Sequence, residues 1–281
     1  MQRFFQIFSI ACALFGCPFH SSAQFFYKDI WTVQQLTKEF SILKNENLRT
    51  VSVKSFEDDG EPSEGFFCER RIDKNFSRSE TVSRSIITQQ SLLVSYYNER
   101  GWITRTVDSS QTSLSRSDYE YDSKGRLTML TNFTKANDEN GGITETHQYV
   151  YNAAGKPEKM IRRKNNADVS VVNFTVDDKG NIIDEEEIIK GKKGRKYFYY
   201  YDDRNRLTDV VHFNDRAQRL LPDYMYEYNP QGQIRQMIST DDNSSNYFTW
   251  KYTYNDQRLR ESEKCYSKEK RLLGSIQYQY R

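Results

Sequence analysis

The sequence predicts an all-β protein: an array of stacked antiparallel β-hairpins forming an elongated twisted sheet, with a short N-terminal helix as its cap. Three observations predict it. An aromatic-x-aromatic pair followed by Asn or Asp recurs through the last two-thirds of the chain. A glycine follows three residues after the Asn or Asp in most copies. Aromatics make up 14% of the 281 residues, far more than an unfolded chain carries.

The repeats are read in chain order. The second ring position falls at Tyr97, Tyr121, Tyr151, Val176, Tyr201, Tyr228, Tyr254 and Tyr280, Val176 being the one aliphatic substitute. The steps are 24, 30, 25, 25, 27, 26 and 26 residues, a regularity that marks a repeat architecture. Two rings separated by one residue lie on the same face of a strand, because side chains alternate with period two. The next Asn or Asp opens a turn by bonding backbone two residues on. Gly101, Gly125, Gly155, Gly180 and Gly232 supply the positive φ that closes a hairpin with a bulge, and Asn205 takes that place in one unit. Leu127, Ile182, Leu207 and Ile234 then begin the return strands. A lone hairpin is marginal in water, so stability is expected to be shared between neighbours.

The motif Tyr-x-Tyr-Asp-x-x-Gly-Arg-Leu-Thr, as it stands at Tyr119 to Thr128 and, with Asn205 for glycine, at Tyr199 to Thr208, resembles the YD repeat of the RHS family. The resemblance spans residues 95–281. MORN-type hairpins compete less well, since they usually carry further glycines. In large RHS and teneurin-like proteins such repeats spiral into a closed shell around a C-terminal toxin. Here seven units look too few for a chamber, and no toxin or autoprotease core is visible. The resemblance therefore implies the fold and not toxin delivery.

The remaining segments divide at 1–23, 24–94 and 95–281. Residues 1–23 read as a secretory signal peptide, with Arg3, the apolar run Phe4 to Gly16, Pro18, and small Ser21 and Ala23 before a cut at Gln24. A second reading is a lipoprotein, with Leu14-Phe15-Gly16-Cys17 as lipobox and Cys17 lipidated. Residues 24–94 read as an N-terminal cap with degenerate repeats. Val33, Leu36, Phe40 and Leu43 have helical spacing and predict a helix near 31–43. Export would leave Cys68 and Cys265, which read as two separate thiols rather than a disulfide.

Catalytic chemistry finds little footing. His147 and His212 stand without ligands at metal or triad spacing, and read as strand histidines. No motif calls for a cofactor or metal. Lys190-Gly191-Lys192-Lys193-Gly194-Arg195-Lys196 is basic and glycine-rich, but Asp184 to Glu187 precede it, so acids facing bases across a hairpin explain it. A net charge of +2 gives no field to gather nucleic acid. Only the first ~20 residues are apolar enough to be weighed as a membrane span.

The expectation is a secreted or envelope protein, non-enzymatic, that binds a glycan or protein of the bacterial cell envelope. The aromatic stripe supplies its candidate site: Tyr197, Tyr199, Tyr201, Tyr226, Tyr228, Tyr252 and Tyr254. The alternative is an envelope structural component that self-associates through open sheet edges near Tyr278 to Tyr280. A glycan hydrolase is the third reading and needs two carboxylates facing one cleft.

Overall fold

The computed structural model describes residues 25–281 except 87, 139, 215–216 and 241–245. The signal segment, both cleavage sites and Cys17 lie outside the described residues. A helix, α1 (Tyr27–Asn45), is followed by a chain of short strands. These are β1 (Thr50–Phe56), β2 (Phe67–Ile72), β3 (Arg78–Ser85), β4 (Gln89–Tyr97), β5 (Ile103–Ser109) and β6 (Ser113–Tyr121). Then come β7 (Leu127–Ala136), β8 (Ile143–Tyr151), β9 (Pro157–Lys164), β10 (Ala167–Val176), β11 (Ile182–Ile189) and β12 (Lys192–Tyr201). The series ends with β13 (Leu207–Asn214), β14 (Arg219–Tyr228), β15 (Ile234–Thr240), β16 (Tyr247–Tyr254), β17 (Arg260–Tyr266) and β18 (Leu272–Tyr280).

Each strand pairs antiparallel with the next, and β18 pairs back onto β1. The sheet is therefore a closed barrel, not the open elongated sheet expected from the repeats. The closing register runs from Val51 opposite Tyr280 to Phe56 opposite Ser275. Arg49 and Thr50 also donate their N–H groups to the Arg281 carbonyl, at 2.7 Å each. The physical reason is the edge: an open sheet leaves a row of unpaired backbone groups on each side, and closure removes both rows. The units judged too few to enclose a chamber do enclose one, because β1–β3 of the preceding segment join the same sheet. The edge-mediated assembly reading loses its open strand by the same closure.

One rim is built from a recurring turn. In each, the Asn or Asp accepts the N–H three residues on and donates its own N–H to the carbonyl four residues on, as in Gly125 N to Asp122 O (3.0 Å) and Asp122 N to Arg126 O (3.0 Å). The Asp122 Oδ1 also takes the Lys124 and Arg126 N–H groups at 2.9 Å. The same pattern turns the chain at Asn98, Asn152, Asp177, Asp202, Asn229 and Asn255. A register shift falls at the second ring of each pair, for example between Glu120 and Tyr121, which is the bulge this turn requires.

The second rings stitch unit to unit. Tyr121 donates its hydroxyl hydrogen to the Ile103 carbonyl (2.7 Å) and Tyr151 to Leu127 (2.7 Å). Tyr201 does so to Ile182 (2.8 Å), Tyr228 to Leu207 (2.6 Å), Tyr254 to Ile234 (2.8 Å) and Tyr280 to Arg260 (2.6 Å). The acceptor each time is the first residue of the preceding unit's return strand. Val176 has no hydroxyl and breaks the series. The residue after the positive-φ position of the turn also reaches forward. The Arg126 guanidinium lies 4.5 Å from the Tyr151 ring centroid, and that of Arg206 lies 4.6 Å from the Tyr228 ring.

The helix is longer than the predicted 31–43, and it does not cap an end of the sheet. It lies inside the barrel. Its first turn packs on Tyr149, Tyr197, Tyr199 and Tyr226, and its last on Val51, Val53, Cys68, Ile276 and Tyr278 across the lumen. Ile30, Val33, Phe40 and Leu43 are buried on it. Helix and wall thus share one core.

Two substitutions test the turn geometry. Gly125 has φ +82°, and a Cβ there would fall 2.5 Å from the Trp102 ring of the preceding unit. Gly125→Ala is expected to lower stability by roughly 2 kcal/mol or more, from strain plus overlap. Arg258 holds φ +66° at the equivalent place in the Asn255 turn, which has the same bonds although it lacks the glycine. Arg258→Gly is expected to raise stability by about 1 kcal/mol. Urea unfolding midpoints read both.

Candidate functional site

The predicted ring residues line the lumen. Tyr197, Tyr199 and Tyr226 are buried, and Tyr201, Tyr228, Tyr252 and Tyr254 are half-buried. Phe25 sits among Tyr197, Tyr199 and Tyr224 with ring centroids 5.8–6.0 Å away. Tyr27 meets Tyr199 edge-on at 5.3 Å, and Trp31 meets Tyr226 at 5.4 Å. These rings hold the helix. At the far end of α1, Phe40 stacks on Tyr97 with 3.6 Å between centroids.

The helix start is anchored by charge. No side chain of its own caps it. Instead Glu185 on β11 accepts the N–H groups of Phe26 (2.7 Å) and Tyr27 (2.8 Å), two of the donors a helix N-terminus leaves without partners. One turn on, Asp29 Oδ2 lies 2.6 Å from His147 Nδ1 and accepts the Tyr149 hydroxyl at 2.7 Å. The other ring nitrogen of His147 faces Glu145 Oε1 at 2.9 Å. Arg162 grips Glu145 with two bonds, 2.9 and 2.8 Å, and Ser170 donates to Glu187 at 2.6 Å beside it.

This geometry fixes protonation states. A neutral imidazole donates through only one nitrogen, yet both nitrogens here face carboxylate oxygens. Burial alone would push the His147 imidazole down, but Asp29 and Glu145 outweigh it and hold it up at about 9. Burial likewise works to raise Glu145, and His147 with Arg162 overrides it, down to about 2. Glu185 goes the other way: burial pushes it up to about 7 against the pull of the Phe26 and Tyr27 N–H groups. The cluster is therefore an ion network that docks a helix. Both His147 ring nitrogens are committed to it.

Sequence spacing could not show these partners. His147 and Asp29 are 118 positions apart. His212, also read as lacking partners, places Nδ1 2.8 Å from Asp223 and its ring beside Tyr197. Cys68 on β2 and Cys265 on β17 are buried and not disulfide-bonded, and burial pushes the Cys265 thiol up to about 12. In the basic segment Lys193 pairs with Glu186 and Lys196 with Asp184, each at 3.1 Å, so acids do face bases across β11 and β12.

The outer wall is charged. Positions between the lumen rings carry Glu120, Glu227, Lys251 and Lys264, all exposed. Such charges would each cost ~2–4 kcal/mol at the middle of a lipid-facing band if basic, and somewhat less if acidic. On this wall Tyr200 is 49% exposed, and Asp209 and Met225 lie opposite it in one cross-strand row. The run Tyr197 to Tyr201 thus divides, three rings to the lumen and Phe198 and Tyr200 outward.

The anchor network predicts a pH response. A folded pKa near 9 against ~6.5 unfolded means that the His147 contribution is complete below about pH 6.5 and is lost as pH rises through 9. Glu185, raised from ~4.5 to about 7, favours the fold below pH 4.5 and loses that contribution as pH rises to 7. Wild-type stability to urea should fall between pH 6.5 and 9 by up to ~3 kcal/mol. His147→Gln should start lower and stay flat up to pH 9 once the Glu185 titration near 7 is passed.

No protein-family model matches the chain, and no curated protein matches it. Among solved structures, a porin-like protein from Bacteroides uniformis is similar over 83% of this chain and 96% of that one, at 11% identity and TM-score 0.42. The Photorhabdus luminescens Tc holotoxin pore (TccC3-D651A mutant) is similar over 76% of this chain and 12% of its own, at 11% identity and TM-score 0.34. The TcdB2-TccC3-TEV structure is similar over the same shares, at 12% identity and TM-score 0.34.

Proposed function

We propose that the chain is an exported, non-enzymatic binding protein of the bacterial cell envelope that recognises a glycan or protein through the outer wall of its barrel. Its hairpins are read as YD-type repeats, on the strength of the recurring turn and ring pair. Export rests on the pattern of residues 1–23, with cleavage after Ala23 or lipidation at Cys17. The observation that carries the binding reading is Tyr200, a large ring standing half out of a charged wall, beside Asp209 and Met225. A ring with an adjacent carboxylate offers both a stacking face and a hydrogen-bond acceptor, the pairing that polar ligands use. The predicted ring residues pack inside the barrel around the helix, so this reading places recognition on the outer surface.

The test is a pull-down from cell-envelope extract and a glycan array. Tyr200→Ala is expected to reduce capture at least tenfold with an unchanged urea midpoint. Tyr199→Ala, one residue along and buried, is expected to lower stability by ~3 kcal/mol or more. Undiminished capture by folded Tyr200→Ala protein would overturn the outer-wall site.

A further inference from the structure

The two rims of the barrel differ. The turn rim is closed by its ladder of Asn, Asp and Gly bonds. On the opposite rim, three neighbouring hairpin tips, β9–β10, β11–β12 and β13–β14, present apolar and basic side chains together. Ile189 is 41% exposed, Phe213 46% and Leu220 42%, and the last two face each other across β13 and β14. Lys164, Lys190 and Lys192 stand exposed at the same tips. Lys193, beside them, is neutralised by Glu186.

We propose that this arc of the rim seats the barrel on the surface of an anionic lipid bilayer, with the three apolar side chains in the headgroup region and the lysines on lipid phosphates. Two features favour a bilayer over a soluble polyanion. Exposed isoleucine, phenylalanine and leucine at hairpin tips gain nothing from a hydrated polymer, but do gain from the interface. The charge is uneven: across the rim, the β1–β2 loop carries Glu57, Asp58, Asp59, Glu61 and Glu64, which an anionic surface repels, and among the described residues only Asp58 of these is paired, with Arg271 of the neighbouring β17–β18 tip, where Lys268 and Lys270 are also exposed. That asymmetry tilts the barrel onto its β9–β14 side. The proposal does not rest on the Tyr200 site, and its residues are different.

The test uses the chain from Gln24 onward, which keeps every described strand and the helix but has no lipid. It is sedimented with phosphatidylglycerol–phosphatidylethanolamine vesicles and with phosphatidylcholine vesicles. Binding is expected to the anionic vesicles alone and to weaken as salt is raised. Lys190→Ala/Lys192→Ala should weaken it about 25-fold. Ile189→Ser/Leu220→Ser should weaken it tenfold or more, with the near-ultraviolet circular dichroism unchanged. Equal binding to both vesicle types, salt-insensitive binding, undiminished binding by the folded variants, or capture by a soluble anionic polysaccharide without vesicle binding would each overturn the proposal. If a variant fails to fold, the salt series on the wild-type chain decides.

Discussion

Eighteen described strands enclose more space than wall side chains can fill. Small barrels of about eight strands are packed solid by their own side chains, while those of sixteen to eighteen leave a channel. That mismatch governs this molecule. Large Tyr and Phe rings narrow the lumen, and α1 occupies what remains. Without the helix the inner rings would face water, and without the rings the helix would rattle. Helix and wall share their buried clusters, so each is expected to depend on the other for stability.

A helix inside a tube carries polar ends, which must find partners within it. Glu185 serves the first N–H groups, and the Asp29–His147–Glu145–Arg162 chain fixes the first turn sideways. At the other end Glu39 meets Arg70, whose Nη2 donates to the Tyr97 hydroxyl at 2.6 Å. Buried ion networks contribute little to net stability when compared with apolar replacements, but losing one member is costly. Their gain here is position: they set where along the wall the helix stops.

Much of the wall was legible in the sequence, and the contents of the lumen were not. The turns announced themselves because a bulged hairpin needs a positive φ at one place, and Gly125, Gly155, Gly180 and Asn205 mark it. Ring pairs showed the strands because period two is local. Which way a strand faces is not local. In Tyr197 to Tyr201 every residue is aromatic, so only the helix contacts of Tyr197 and Tyr199 distinguish inside from outside. Closure left no local trace either, since Val51 meets Tyr280 from the other end of the chain. The ion partners of His147 share that obstacle, and the extra first turn of α1 depends on a Glu185 cap that no nearby residue foretells.

The pairing of β18 with β1 also sets a schedule. The helix and the first strand are synthesised early, yet the wall cannot shut around them until the last strand along the chain arrives. Until then the growing sheet has two unpaired edges and an uncovered aromatic face. Chaperones and proteases would therefore meet it in a vulnerable form for most of its birth, and the final nine-residue strand ends that exposure in one step. A chain interrupted anywhere before β18 would remain recognisable as unfinished.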